Sequence, residues 1–109
     1  MFVRDIQRLG LTEKESKVYL TSLRIGPASM QVLAKKAGID RGTSYHVAHT
    51  LRQKGLFEEV EKGKRPRFRV SSPDKLYRYV EDRKKEADAH HAAMQEVIAD
   101  LRELYEIGA

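Results

Sequence analysis

Neither glycine nor proline occurs between Asp74 and Ile107, a run of 34 residues bracketed by Pro73 and Gly108. A stretch of that length without a breaker reads as one helix, and at ~1.5 Å per residue it spans roughly 50 Å. Along it Leu76, Val80, Arg83, Ala87, His90, Met94, Val97, Leu101 and Leu104 keep an unbroken 4-3 spacing, with Tyr77, Ile98 and Tyr105 widening the stripe. The remaining chain is too short to cover such a stripe, so a second copy is expected to do so. This predicts a homodimer with Leu76, Val80, Ala87, His90, Met94, Val97, Leu101 and Leu104 at its interface. Parallel and antiparallel pairing both remain open.

The 109-residue chain leaves room for one compact unit ahead of that helix. Phe2, Ile6 and Leu9 mark a short amphipathic helix stopped by Gly10. Thr12 and Glu15 have capping-box spacing, opening a helix over about 13–25 with Ser16, Tyr19, Leu20 and Leu23 on one stripe, ended by Gly26-Pro27. Ser29 can cap a two-turn helix carrying Met30, Leu33, Ala34 and Ala37, and Asp40 caps the next, from about Arg41 to Lys54. From Leu56 the period changes to two. Residues 56–61 and 67–70 then read as a β-hairpin around the turn Lys62-Gly63-Lys64-Arg65-Pro66. The fold class is therefore mainly α with a small β-hairpin: a winged helix-turn-helix over 1–72, followed by a long C-terminal dimerisation helix over 73–109.

Charge divides the same way. Residues 1–71 hold 15 Lys and Arg against 7 Asp and Glu, a net +8, whereas 72–109 hold 6 against 9, a net −3. The positive part is where a polyanion is expected to bind. With no cysteine, a disulfide framework, a thiolate zinc site and a cysteine nucleophile are excluded. No apolar run reaches the length of a membrane span and the N-terminus lacks a signal-peptide core, so a cytoplasmic protein is expected.

Several segments in order resemble the DNA-binding domain of the TrmB family of archaeal and bacterial transcriptional regulators. They are Leu9-Gly10-Leu11-Thr12 with Glu15 and Val18-Tyr19-Leu20; Gly26-Pro27-Ala28-Ser29 with Leu33-Ala34 and Ala37-Gly38-Ile39; Arg41 with Tyr45, Leu51 and Lys54-Gly55-Leu56; and Arg65-Pro66-Arg67-Phe68-Arg69-Val70 leading to Pro73. The chain departs from the family at Asp40, Ser44 and Ala48, where Pro, a branched apolar residue and Leu are common, which implies looser packing beneath the recognition helix. Typical members continue into a sugar-binding domain. The sequence stops before one, so no sugar site is carried over and a small-molecule effector is not expected.

If Leu51 faces the core, Ser44, Val47 and Ala48 lie beside it and Gly42, His46, His49 and Gln53 face outward. Tyr45 flanks them, and Arg41 and Thr43 stand at the N-terminal end, where recognition helices enter the major groove. Gly42 has two readings, a place where the DNA backbone approaches closely or an ordinary first-turn glycine. Ser29 and Gln31 at the preceding helix start can meet a phosphate, and Lys62, Lys64, Arg65 and Arg67 make the wing basic. His46 and His49 lack further acidic or cysteine ligands on their face, so no metal and no cofactor is expected. No P-loop or catalytic triad pattern occurs, and an enzyme is not expected. The residues predict a sequence-preferring double-stranded DNA-binding transcriptional regulator acting as a homodimer. The alternatives are a winged-helix protein-interaction module or a weakly specific architectural DNA-binding protein.

Overall fold

The computed structural model describes residues 2–61 and 65–109. Its elements run α1 (Phe2–Arg8), α2 (Glu13–Ile25), β1 (Ala28–Ser29), α3 (Met30–Ala37), α4 (Arg41–Gln53), β2 (Phe57–Glu61), β3 (Arg67–Val70) and α5 (Pro73–Gly108). This is a winged helix-turn-helix followed by a long C-terminal helix. One compact unit covers Met1–Tyr79 and includes the first turns of α5; Val80–Ala109 forms a second.

Local chemistry sets the helix boundaries. Thr12 Oγ1 accepts from the Glu15 amide at 3.1 Å while Glu15 Oε1 accepts from the Thr12 amide at 2.9 Å, so the capping box is reciprocal. Ser29 and Asp40 cap α3 and α4 by accepting from the amides of Val32 and Thr43. Gly38 ends α3 in the left-handed conformation, φ 71°, and the next amide, Ile39, returns to Ala34 O at 3.0 Å. That turn separates α3 from α4 without lengthening either.

The core of the first unit joins Leu11, Val18 and Tyr19 to Met30, Leu33 and Ala34 of α3 and to Val47, Ala48 and Leu51 of α4. Leu56, Phe57, Phe68 and Leu76 complete it, with the two phenylalanine rings parallel within 3° and 6.0 Å apart. Burial of these side chains supplies most of the folding drive, at roughly 1.5–3 kcal/mol for each large one.

Three features differ from the sequence-based expectation. The buried side of α2 is turned toward Val18 and Ser22, while Leu23 is exposed. Ser22 is tolerated there because its hydroxyl accepts from the Val70 amide at 3.0 Å, giving the end of β3 a partner that leucine cannot offer. The sheet has three strands rather than the two of a hairpin, antiparallel in the order β1-β3-β2, with Ala28 opposite Phe68 and Phe57 opposite Val70. Finally, Leu76 is 8% exposed and belongs to the core of its own chain, so it does not stand on the uncovered stripe. The stripe begins after it.

Leu56 forms the corner between α4 and the sheet. Its amide donates to Leu51 O at 2.9 Å, its carbonyl accepts from the Ser71 amide at 2.8 Å, and its side chain is buried. One residue therefore fixes both the exit of α4 and the end of the β3 strand.

Candidate nucleic-acid interface

Helix α4 is held at both ends. At its start the Asp40 carboxylate accepts from the Thr43 amide at 3.1 Å, and the buried Ser44 hydroxyl donates to the Arg41 carbonyl. This explains how a serine sits where the family often has an apolar residue: its polar group is satisfied within the turn. A Cβ on Gly42 would stand 3.1 Å from Asp40 Oδ2, so the glycine leaves room for the cap.

At its end α4 is tied to α2 by Glu15. Lys54 Nζ lies 2.8 Å from Glu15 Oε2 and 2.9 Å from Oε1, and Thr50 Oγ1 donates to Oε2 at 2.9 Å. The same carboxylate closes the capping box. Burial pushes the Glu15 carboxyl up, but the hydrogen bonds from Lys54, Thr12 and Thr50, together with the Lys54 charge, outweigh it and hold the pKa below its ordinary value. The Lys54 ammonium also lies 5.7 Å from the centre of the Tyr79 ring in α5. Sequence reasoning found Glu15 as a cap and missed this second role, because residues 15 and 54 carry no local signal of their proximity.

Between these anchors α4 divides into two faces. Ser44, Val47, Ala48 and Leu51 are buried, whereas Arg41, Gly42, Tyr45, His46, His49 and Gln53 are exposed and Thr43 is half-buried. The outward face carries guanidinium, imidazole, phenol and amide groups, all able to hydrogen-bond base edges or phosphates.

A second group forms where α3 begins. Arg65, Arg67, Ser29, Pro27, Ala28 and Val32 line an open groove between the α3 start and the wing. Ser29 Oγ accepts from the Val32 amide at 3.3 Å, which leaves its proton for donation, and Gln31 is exposed one turn-step further on. Arg67 has a structural role that the sequence did not reveal: its guanidinium donates to Pro27 O at 2.6 Å and clamps β3 to the start of β1. Arg69 pairs with Glu58 across the β2–β3 register at 2.8 Å. Arg65 is exposed, with no ion pair among the described residues. Lys62 and Lys64 lie outside the described residues.

On α5, every residue from 81 to 109 is exposed and Val80 is half-buried, so Ala87, His90, Met94, Val97, Leu101 and Leu104 form a wet stripe. Among the described residues no three His, Asp or Glu side chains converge as a metal would require. No helix among them is long and apolar enough to cross a membrane.

The model of the family described as sugar-specific transcriptional regulator TrmB matches residues 6–81, from within α1 to the start of α5. The chain belongs to the TrmB family. That is a family of DNA-binding transcriptional regulators, not of enzymes. The HTH-type sugar sensing transcriptional regulator TrmBL1 of Pyrococcus furiosus is 36% identical over 58 residues, covering 53% of this chain and 17% of that protein. The solved structure of TrmBL2, an archaeal chromatin protein with a novel mode of DNA binding, superposes with a TM-score of 0.80 at 21% identity, over 99% of this chain and 41% of that one. A possible transcriptional regulator from Methanosarcina mazei Go1 gives 0.67 at 16% identity, over 86% and 87%. This TrmB-family chain thus spans less than half the length of TrmBL2 and under a fifth of TrmBL1.

Proposed function

We propose that the protein is a sequence-preferring, double-stranded DNA-binding transcriptional regulator that works as a homodimer. The observation that carries this reading is the two-faced α4, buried through Ser44, Val47, Ala48 and Leu51 and fixed at both ends, which presents Arg41, Tyr45, His46, His49 and Gln53 outward. Pre-organised donors on a helix of this kind suit a major groove. Thr43 and Gly42 stand at the end that enters first. The groove with Ser29, Arg65 and Arg67, together with Gln31 and the basic wing, supplies phosphate contacts that set register without reading sequence. The winged unit reads DNA and the distal part of α5 joins two copies.

The likeness to the TrmBL2 chromatin protein favours one rival, weakly specific architectural coating. Selection of bound sequences from a random double-stranded library separates the two. A convergent motif supports the regulator. Recovery of an unenriched pool, with binding governed by DNA length alone, supports the architectural reading.

A further inference from the structure

We infer that Glu15, Lys54 and Tyr79 are positioning residues for base reading: from the first turns of α2 and α5 they fix the rotation of α4 about its own axis, without touching DNA themselves. The inference rests on the DNA-reading function proposed above and assigns to it residues that lie off the reading face.

Rotation matters because the outward side chains act at a distance from the helix axis. Their tips lie about 5–6 Å out, so a turn of about 10–20° carries them about 1–2 Å sideways. A hydrogen bond to a base edge works only over a donor–acceptor range of about 2.7–3.2 Å. The inward side of α4 resists such a turn weakly, since apolar contact is non-directional and two of its four residues, Ser44 and Ala48, are small. The Ser44 hydroxyl is used within its own turn, on the Arg41 carbonyl. The Asp40 cap is equally local, its partner amide standing three residues away. Neither bond holds α4 against another element.

The described side-chain hydrogen bonds from α4 to another helix all end on Glu15. Thr50 and Lys54 stand four residues apart, on one side of the helix end, so both donors pull on the carboxylate from a single face. That carboxylate cannot follow them, because it is 3% exposed and also accepts from the Thr12 amide at the start of α2. Tyr79 adds a second element, its ring centre 5.7 Å from Lys54 Nζ. Leu76, three residues earlier in α5, is buried in the core, so the ring is carried on an anchored turn. The ammonium is thereby held by a fixed anion and a fixed aromatic ring, and the end of α4 is registered against α2 and α5 together. Pairing with Glu15 also turns the Lys54 charge away from the face that carries His46, His49 and Gln53.

The test uses the full chain with Tyr79→Leu, Tyr79→Phe or Lys54→Met, at a temperature where circular dichroism shows each protein folded. Affinity is read on two duplexes of equal length, the site selected by the unaltered protein and a scrambled version of it. Tyr79→Leu should lower affinity for the selected site about fivefold, the order of one weakened base contact, and leave the scrambled duplex unchanged. Tyr79→Phe keeps the ring face and should bind both duplexes as the parent does. Lys54→Met keeps the stem without the charge and should lower affinity for the selected site about tenfold, again sparing the scrambled one. The Tyr79 pair decides the matter even if Lys54→Met, which strands Glu15, fails to fold. Lost packing or a lost phosphate contact weakens both duplexes alike, and that result overturns the inference. So does a Tyr79→Leu protein that binds the selected site like the parent. If the unaltered protein selects no motif, the sequence-preferring reading falls and this inference with it.

Discussion

Leu51 in α4 and Leu101 in α5 hold similar places in similar amphipathic patterns, yet the first is fully buried and the second is 53% exposed. The contrast extends to polar groups. Around α4, Glu15, Ser22, Ser44, Thr50 and Lys54 all have partners, several of them far away in sequence. Along 81–109 every side chain faces solvent. Apolar periodicity thus identifies which side of a helix must be covered; it does not say by what.

The largest expected effects break this comparison directly. Leu51→Ala leaves a cavity in a packed core and should cost about 2–5 kcal/mol, measured by denaturant unfolding, with no dependence on protein concentration. Val97→Asp with Leu101→Asp should instead reduce the molecular mass seen by light scattering from two chains to one. Its effect on melting should grow with protein concentration in the unaltered reference, as association linkage requires. If both variants shift melting equally at every concentration, the two regions do not differ as described.

Glu15→Gln comes next. Removing the carboxylate charge leaves Lys54 without its counterion, and a loss of about 1–3 kcal/mol is expected, below the 3–5 of a fully buried pair because Lys54 is partly solvated. The pH dependence follows from the lowered pKa of Glu15. Its stabilisation is fully present above the carboxyl pKa of the unfolded chain and disappears as pH falls through the lower folded-state value. Acid titration of unfolding free energy should therefore be shallower in Glu15→Gln than in the parent, and curves that stay parallel to low pH would rule out this role.

DNA contacts sharpen the comparison within the winged unit. His46→Ala or His49→Ala should change the ranking of selected sequences, with a lost base contact worth about 1–3 kcal/mol at one position. Arg65→Ala should weaken strong and weak sequences by similar factors and flatten the salt dependence by about one counterion. The reverse outcome, a changed motif from Arg65→Ala alone, assigns base reading to the wing. Arg67→Ala is predicted to do something different in kind: loss of the Pro27 contact should cost stability by about 1 kcal/mol even without DNA.

What the sequence made legible was local. The caps at Thr12, Ser29 and Asp40 lie within three residues of the amides they satisfy, and the four inward residues of α4 follow from a 100° step once Leu51 is placed inside. The missing pieces were non-local. The two-residue strand β1 is too short to show a period and exists because β3 lies beside it. Ser22 sits inside because an amide 48 residues away needs an acceptor. The stripe is shorter by one layer than its periodicity suggests for the same reason, since Leu76 looks like the rest of its heptad until the core that covers it is known.

The Leu56 corner has a mechanical consequence. Because that residue bonds back to α4 and also holds the residue following β3, a change in the angle between α4 and the β2–β3 strands works against two backbone hydrogen bonds at once. A rigid reader of this kind leaves adjustment to the double helix. On the proposed function, base pairs lying between the α4 and wing contacts are then discriminated by stiffness: steps such as TA or CA, which bend and widen easily, are favoured over stiff A-tracts although no side chain touches them.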